Sequence, residues 1–319
     1  DEARCLVTVT APGAPPRSAR YTGDQGSTIL PRGRTDVFFK PVRVPRRLPD
    51  AASQAWPTGD VGASESDPGV DSKAVAAALD WAMKQDEQNT RAFVVAYRGK
   101  IIGERYAPGW TKDTPQISWS QGKSITATLI AILIQRGLLD LDQPAPIKEW
   151  QGADDPRRVI RIRDLLQMSS GLDFTNLSFE GPETLISENE HMRVYFDSLD
   201  VLKHAVNQPL KVPPGTRHSY LNSDPLSLGR IIRDTVEAQG EGYLTFPQRA
   251  LFDRIGARSA VLETDAWGNF ILSGYDYVSA RDWVRFGLLY LNDGVWQGKR
   301  ILPEGWTEFV STPAPADAK

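Results

Sequence analysis

One stretch limits what this chain can fold into more than any other: Ser118-Trp119-Ser120-Gln121-Gly122-Lys123-Ser124, running directly into Ile125-Thr126-Ala127-Thr128-Leu129-Ile130-Ala131-Ile132-Leu133-Ile134. An apolar run of that length reads as a buried helix, and Gly137 stops it. Ser120 then stands at the helix start with Lys123 three residues on, so the two side chains share one face. A serine hydroxyl is a weak nucleophile until a base takes its proton, and a lysine does so when desolvation lowers its pKa. The helix N-terminus adds partial positive charge and free N–H groups suited to an oxyanion. The plainer reading is a helix-start serine beside a solvated lysine. Three features weigh against it. This is the only Ser-x-x-Lys in the chain, it opens the most hydrophobic helix, and Lys123 falls where burial is expected.

Composition narrows the class. The chain has 319 residues, 40% hydrophobic and 24% charged, which suits one large or two closely packed soluble units. A net charge of −3 leaves no basic footprint for nucleic acid. No apolar run reaches the roughly 18 residues that span a bilayer. Cys5 is the single cysteine, so there is no intrachain disulfide and no thiolate-rich zinc site. His191, His204 and His218 lack metal-ligand spacing, and no metal or organic cofactor is expected. The chain begins at Asp1, which favours a periplasmic or secreted product that has lost a leader, with the cytoplasm as the alternative.

Four regions follow in order. Residues 1–66 are rich in Pro, Gly, Arg and Ser and read as an irregular arm, broken by Pro12, Pro15, Pro16, Pro31, Pro41, Pro45 and Pro49. Residues 67–116 carry an amphipathic helix over 71–85 and a β-hairpin, 92–97 with 101–106, turning at Arg98-Gly99-Lys100. Residues 117–270 read as mainly helical, with helices over 120–136, 161–168, 198–206 and 224–239. The polar stretch from Asp173 to Glu190 is long for a connector and reads as a loop that could cover a site, with Tyr195 and Phe196 beside it. Residues 271–319 hold a further helix over 280–291.

A lysine-assisted serine needs a third group to carry the proton. Tyr220-Leu221-Asn222 follows the turn Val212-Pro213-Pro214-Gly215-Thr216, so Tyr220 should project from a loop. A phenol beside an ammonium can serve as general base, and the Asn222 amide can bind a substrate carbonyl or the lysine. Tyr290-Leu291-Asn292 has the same spelling, but it ends a helix with Trp283, Phe286 and Leu289 on its apolar side, so Tyr290 reads as core.

Ser120-x-x-Lys123 at a helix start and Tyr220-x-Asn222 after a Pro-Gly turn together resemble the serine β-lactamase and penicillin-binding superfamily. The nearest branch is that of class C-like esterases and 6-aminohexanoate-dimer hydrolases. Arg105-Tyr106-Ala107-Pro108-Gly109-Trp110, Asp164-Leu165-Leu166-Gln167-Met168-Ser169-Ser170-Gly171-Leu172 and Gly287-Leu288-Leu289-Tyr290-Leu291-Asn292-Asp293-Gly294 also match that branch, and the resemblance covers roughly residues 70–310. It implies an α/β (α+β) fold: an antiparallel sheet flanked by helices, with an all-helical domain inserted. It further implies Ser120 as acyl-enzyme nucleophile, Lys123 and Tyr220 as its proton machinery, Asn222 as substrate-binding residue, and the Ser120 N–H as one oxyanion donor. Trp119 would line the pocket or pack under the helix. The substrate would be a small ester or amide.

Two features depart from the pattern. No Lys-Thr-Gly or His-Thr-Gly triplet follows, and no strand-rich run comes after residue 291. A lone hairpin is a marginal sheet. The expectation is therefore that a further C-terminal segment or second chain supplies about three strands, the third motif and the second oxyanion donor. Three other readings stay open: a β-lactamase or D-amino-acid peptidase, a penicillin sensor that does not turn over, and a Ser-His-Asp hydrolase using His218. The last lacks a Gly-x-Ser-x-Gly elbow.

Overall fold

The computed structural model of the chain describes residues 1–64, 67–84, 89–174 and 190–317. Its core is built on the helix Gly122–Gln135, in which Ile125, Leu129, Ile130, Ala131, Ile132 and Leu133 are all buried. A helix apolar on most sides has to be enclosed. The helix Ser223–Ala238 packs along it and buries Leu226, Leu228, Ile231 and Ile232. Gly137, with φ +70°, supplies the left-handed residue that ends the first helix. The helix Ala280–Leu291 closes the same core with Phe286, Leu288 and Leu289. These three helices fall where sequence periodicity puts them.

The first 66 residues depart from the expectation of an irregular arm. Strands β1 (Leu6–Ala11), β2 (Ala14–Tyr21) and β3 (Ser27–Ile29) form an antiparallel meander. The prolines are accommodated because β3 pairs only with Ala19, Arg20 and Tyr21, and because β1 carries a register shift between Val9 and Ala11. Pro15 and Pro16 therefore sit beside a bulge, where β2 has no second neighbour. The alternating β-branched run Val7-Thr8-Val9-Thr10 is the sequence signal for a strand here. From residue 30 to 50 the chain carries no strand or helix.

The helix Ser72–Ala82 starts at Asp71, whose carboxylate accepts from the N–H groups of Lys73 and Ala74. It packs on the hairpin β4 (Ala92–Tyr97) and β5 (Lys100–Tyr106). Arg98 and Gly99 both have positive φ, 47° and 80°, as a two-residue turn of matching twist requires. Gly103 is needed for the packing, since a Cβ there would lie 2.7 Å from Leu79 Cδ1 and 2.8 Å from Val75 Cγ1. A second small sheet has the order β6 (Gln116–Ile117), β8 (Asp276–Val278), β7 (Val261–Leu262). All pairings between these strands are antiparallel.

A buried charge cluster ties the layers together. Arg285, 3% exposed, donates to Asp60 at 2.6 Å, to Asp282 at 2.7 Å, and to the carbonyls of Pro57 and Gly59. Arg281 reaches Glu104 on β5 and Asp60. Burial would raise the Asp60 carboxyl, but hydrogen bonds from Lys112 and Arg285, with the Arg285 and Arg281 charges, hold it down at about 2. Among the described residues no helix is long and apolar enough to cross a membrane.

Candidate active site

The strand β6 leads into a tight turn, Trp119–Gln121, that feeds the buried helix. The turn is pinned by the Ser118 N–H, which donates to the Asp276 carbonyl on β8 at 2.7 Å. Trp119 has φ +46°, a conformation that bulky residues rarely adopt and that functional sites often hold. Ser120 follows on an exposed corner. One helical turn further, Lys123 reaches back, and its Nζ lies 3.1 Å from Ser120 Oγ and donates at 2.8 Å to the Ser273 carbonyl. Burial pushes the Lys123 ammonium down to about 8, against the opposing pull of Asp276.

Tyr220 arrives from the loop after the Pro-Pro-Gly turn. That loop is held by Gly215 N–H to the Ser169 carbonyl, 2.8 Å, and Ser219 N–H to the Met168 carbonyl, 2.9 Å. Tyr220 is half-exposed, and its ring faces the lysine, with Nζ 5.1 Å from the ring centroid. Asn222 comes from the same loop but is only 3% exposed, and its amide donates to the His191 carbonyl at 3.3 Å. The structure thus brings Ser120, Lys123 and Tyr220 together at one opening, while Asn222 lies behind the wall. Tyr290 is elsewhere: its hydroxyl bonds Thr128 at 2.6 Å and its ring tilts on Phe286 within the core. His218 faces Asp317, 3.6 Å away.

Further residues, some of them without a sequence signal, complete the site. Ser273 offers a carbonyl that accepts from Lys123 and, at 3.0 Å, from the hydroxyl of Tyr195, whose own ionisation burial pushes up to about 12. Tyr195 stacks on Tyr275 with centroids 5.1 Å apart, and the Trp119 ring stands edge-on to both, at 5.7 and 5.6 Å. Trp119 therefore makes the rim of an aromatic wall, and its exposure of 45% puts it beside the opening. His191 is buried behind this wall, where desolvation and the Lys123 charge push it down to about 4. Tyr195 stands beside the long polar stretch in the sequence and the aromatic spelling Tyr275-Asp276-Tyr277 marks its stacking partner, but a backbone carbonyl leaves no signal. The stretch expected to cover the site, 173–190, lies outside the described residues from 175 to 189. Among the described residues no cluster of acidic, histidine or cysteine side chains is arranged to hold a metal ion.

Chemically, a hydroxyl within hydrogen-bond distance of a weakly basic amine, with a phenol over that amine, can accept an acyl group and return a proton to the leaving atom. Known proteins resemble this chain in sequence and in fold. The β-lactamase family matches residues 75–317. A 6-aminohexanoate-dimer hydrolase of Paenarthrobacter ureafaciens is 26% identical over 258 residues, covering 78% of this chain and 64% of that protein. A solved structure described as a candidate 6-aminohexanoate-dimer hydrolase from Bacillus anthracis superposes with TM-score 0.56 at 27% identity, covering 70% of this chain and 60% of that one. A candidate β-lactamase from Bacteroides dorei shares the fold, with TM-score 0.58 at 21% identity, over 76% of this chain and 71% of that chain. The chain spans less than two thirds of the length of the two dimer-hydrolase relatives.

Proposed function

The chain belongs to the β-lactamase family, and from that premise we propose that it hydrolyses a small ester or amide through a covalent acyl-serine on Ser120. One observation carries the reading: an amine of lowered basicity, Lys123 Nζ, stands 3.1 Å from an exposed serine oxygen. In the first step Ser120 Oγ attacks the substrate carbonyl as its proton passes to the Lys123 and Tyr220 pair. The oxyanion forms at the helix entrance, where the Ser120 N–H is one donor. Tyr220 then delivers the proton to the leaving amine or alcohol, and water reverses the sequence to free the acid. Trp119 lines the acyl side. Asn222 acts from behind, by holding the segment that bears His191. The two named dimer-hydrolase relatives favour a linear amide among the possible substrates. In domain terms, we read 117–270 as the mainly helical unit that carries Ser120, Lys123 and Tyr220, interrupted near its end by β7, between sheet-forming parts in 67–116 and 271–319.

The test is a panel of short acyl esters, a cephalosporin and a linear amide dimer, with Ser120→Ala as control. Turnover of the ester or the linear amide that disappears in Ser120→Ala is the expected result. Turnover of the cephalosporin alone would make the protein a β-lactamase. Stoichiometric labelling without turnover would make it a sensor, and unchanged activity in Ser120→Ala would remove Ser120 from the chemistry.

A further inference from the structure

Asp276 is a carboxyl for which the serine–lysine–tyrosine chemistry has no use, yet it lies fully buried against the nucleophile turn, 1% exposed. Burying an acid with few partners costs free energy, so a buried acid at this place calls for a physical reason. Its Oδ2 accepts from the Ser118 hydroxyl at 3.2 Å, while Oδ1 has no hydrogen-bond partner among the described residues. The same oxygen Oδ2 lies 1.7 Å from where a Cβ on Gly122 would be. Only glycine at the first position of the helix leaves room for the carboxyl. The backbone joins the two segments as well: Ser118 N–H donates to the Asp276 carbonyl at 2.7 Å, and Ile117 pairs with Tyr277. Three residues upstream on the same segment, the Ser273 carbonyl holds Lys123 Nζ. One short piece of chain, 273–276, therefore grips both ends of the Ser-x-x-Lys unit.

We propose that Asp276 is a positioning residue for acylation: its carboxyl clamps the nucleophile turn through Ser118 and Gly122. The inference rests on the reading of Ser120 as nucleophile. The clamp holds Ser120 against Lys123 while Trp119 occupies its left-handed conformation, and small losses of such alignment are costly in rate. Burial drives the Asp276 proton affinity up, so the carboxyl beside the turn favours its neutral form, which still accepts from Ser118.

The experiment measures the rate of Ser120 labelling by a fluorophosphonate from pH 6 to 10, with thermal unfolding of each variant as a folding control. Asp276→Asn keeps the volume and an acceptor for Ser118, so its plateau rate stays within about twofold of wild type. Asp276→Gly removes the clamp, and the plateau rate falls at least about tenfold, up to the hundredfold scale of misaligned catalytic groups. Gly122→Ala forces the carboxyl aside and gives a similar plateau loss. In the double variant Gly122→Ala with Asp276→Gly, the clash is gone but the clamp is still missing, so the plateau stays at the Asp276→Gly level. Recovery of the wild-type plateau in the double variant would mean that the carboxyl only fills space, and would overturn the inference. An Asp276→Asn plateau that falls as far as that of Asp276→Gly would show that the shape and the Ser118 acceptor do not carry the effect, and would overturn the inference. Wild-type protein left unlabelled at Ser120 would overturn the hydrolase reading and this inference with it. Labelled wild type with an unchanged plateau in Gly122→Ala or Asp276→Gly would overturn the inference alone.

Discussion

Lys123 Nζ donates both to Ser120 Oγ, 3.1 Å away, and to the Ser273 carbonyl, 2.8 Å away, so one amine connects the nucleophile to the turn that precedes β8. The carbonyl fixes where the amine points, and burial decides how readily it gives up a proton. Because burial pulls Lys123 down to about 8, the free amine accumulates as pH rises through that value. The rate of Ser120 acylation should therefore climb between about pH 7 and 9 and level off above. Lys123→Arg, a permanent cation, should remove the climb and leave at most about a hundredth of the plateau rate. Stopped-flow labelling across the pH range checks both, and a flat wild-type profile would detach Lys123 from proton transfer.

The two Tyr-x-Asn sequences should behave oppositely. Tyr220→Phe should lower kcat by about a hundredfold or more, with little effect on unfolding, since Tyr220 is half-exposed. Tyr290→Phe removes the hydrogen bond to Thr128 and should cost about 1 kcal/mol of stability with kcat nearly unchanged. Steady-state kinetics and thermal melts on both variants decide it. Equal kinetic losses would mean that the core tyrosine also governs the site.

Asp60 makes the fold acid-sensitive in a defined window. Its folded pKa, about 2, is below the ordinary 3.8, so its ion pairs stabilise the fold above about pH 4 and are lost as pH falls toward 2. Melting temperature should drop steeply across that interval. Asp60→Asn should melt lower at neutral pH, because Arg285 then loses one of its two carboxylate partners, but should show a flatter acid profile. A wild-type profile as flat as the variant's would place the acid sensitivity elsewhere.

Asp224 predicts the reverse sign. It is wholly buried at the start of the helix Ser223–Ala238, where Ser170 Oγ donates to Oδ1 at 2.6 Å and Oδ2 has no partner among the described residues. Burial raises its carboxyl to about 7 from 3.8, so the neutral acid fits the fold best. Its stabilising contribution is full below pH 4 and is lost as pH rises through about 7. Asp224→Asn should therefore gain on wild type between pH 5 and 8 in thermal melts. A constant difference across that range would show that Asp224 does not titrate with folding.

Local patterns determined a good deal of this protein. The apolar run after Lys123 and the stop at Gly137 dictate a buried helix, because no other element encloses so many consecutive apolar side chains. A three-residue spacing on that helix necessarily puts Ser120 and Lys123 on one face, so their contact is legible in the spacing alone. The Arg98-Gly99 turn and the Asp71 cap are readable for the same reason: their chemistry is satisfied within a few residues. What lies beyond that range was decided by tertiary structure. The β1–β3 meander tolerates its prolines only because a bulge and a short third strand leave them unpaired. Asn222 turns inward to the His191 carbonyl although its spelling suggests a substrate contact. The Ser273 carbonyl and the Asp276 carboxyl lie 153 and 156 positions after Ser120 in the numbering. A backbone acceptor has no side-chain signature, and a lone acid acquires its meaning only when folding strips it of water beside a lysine and a glycine.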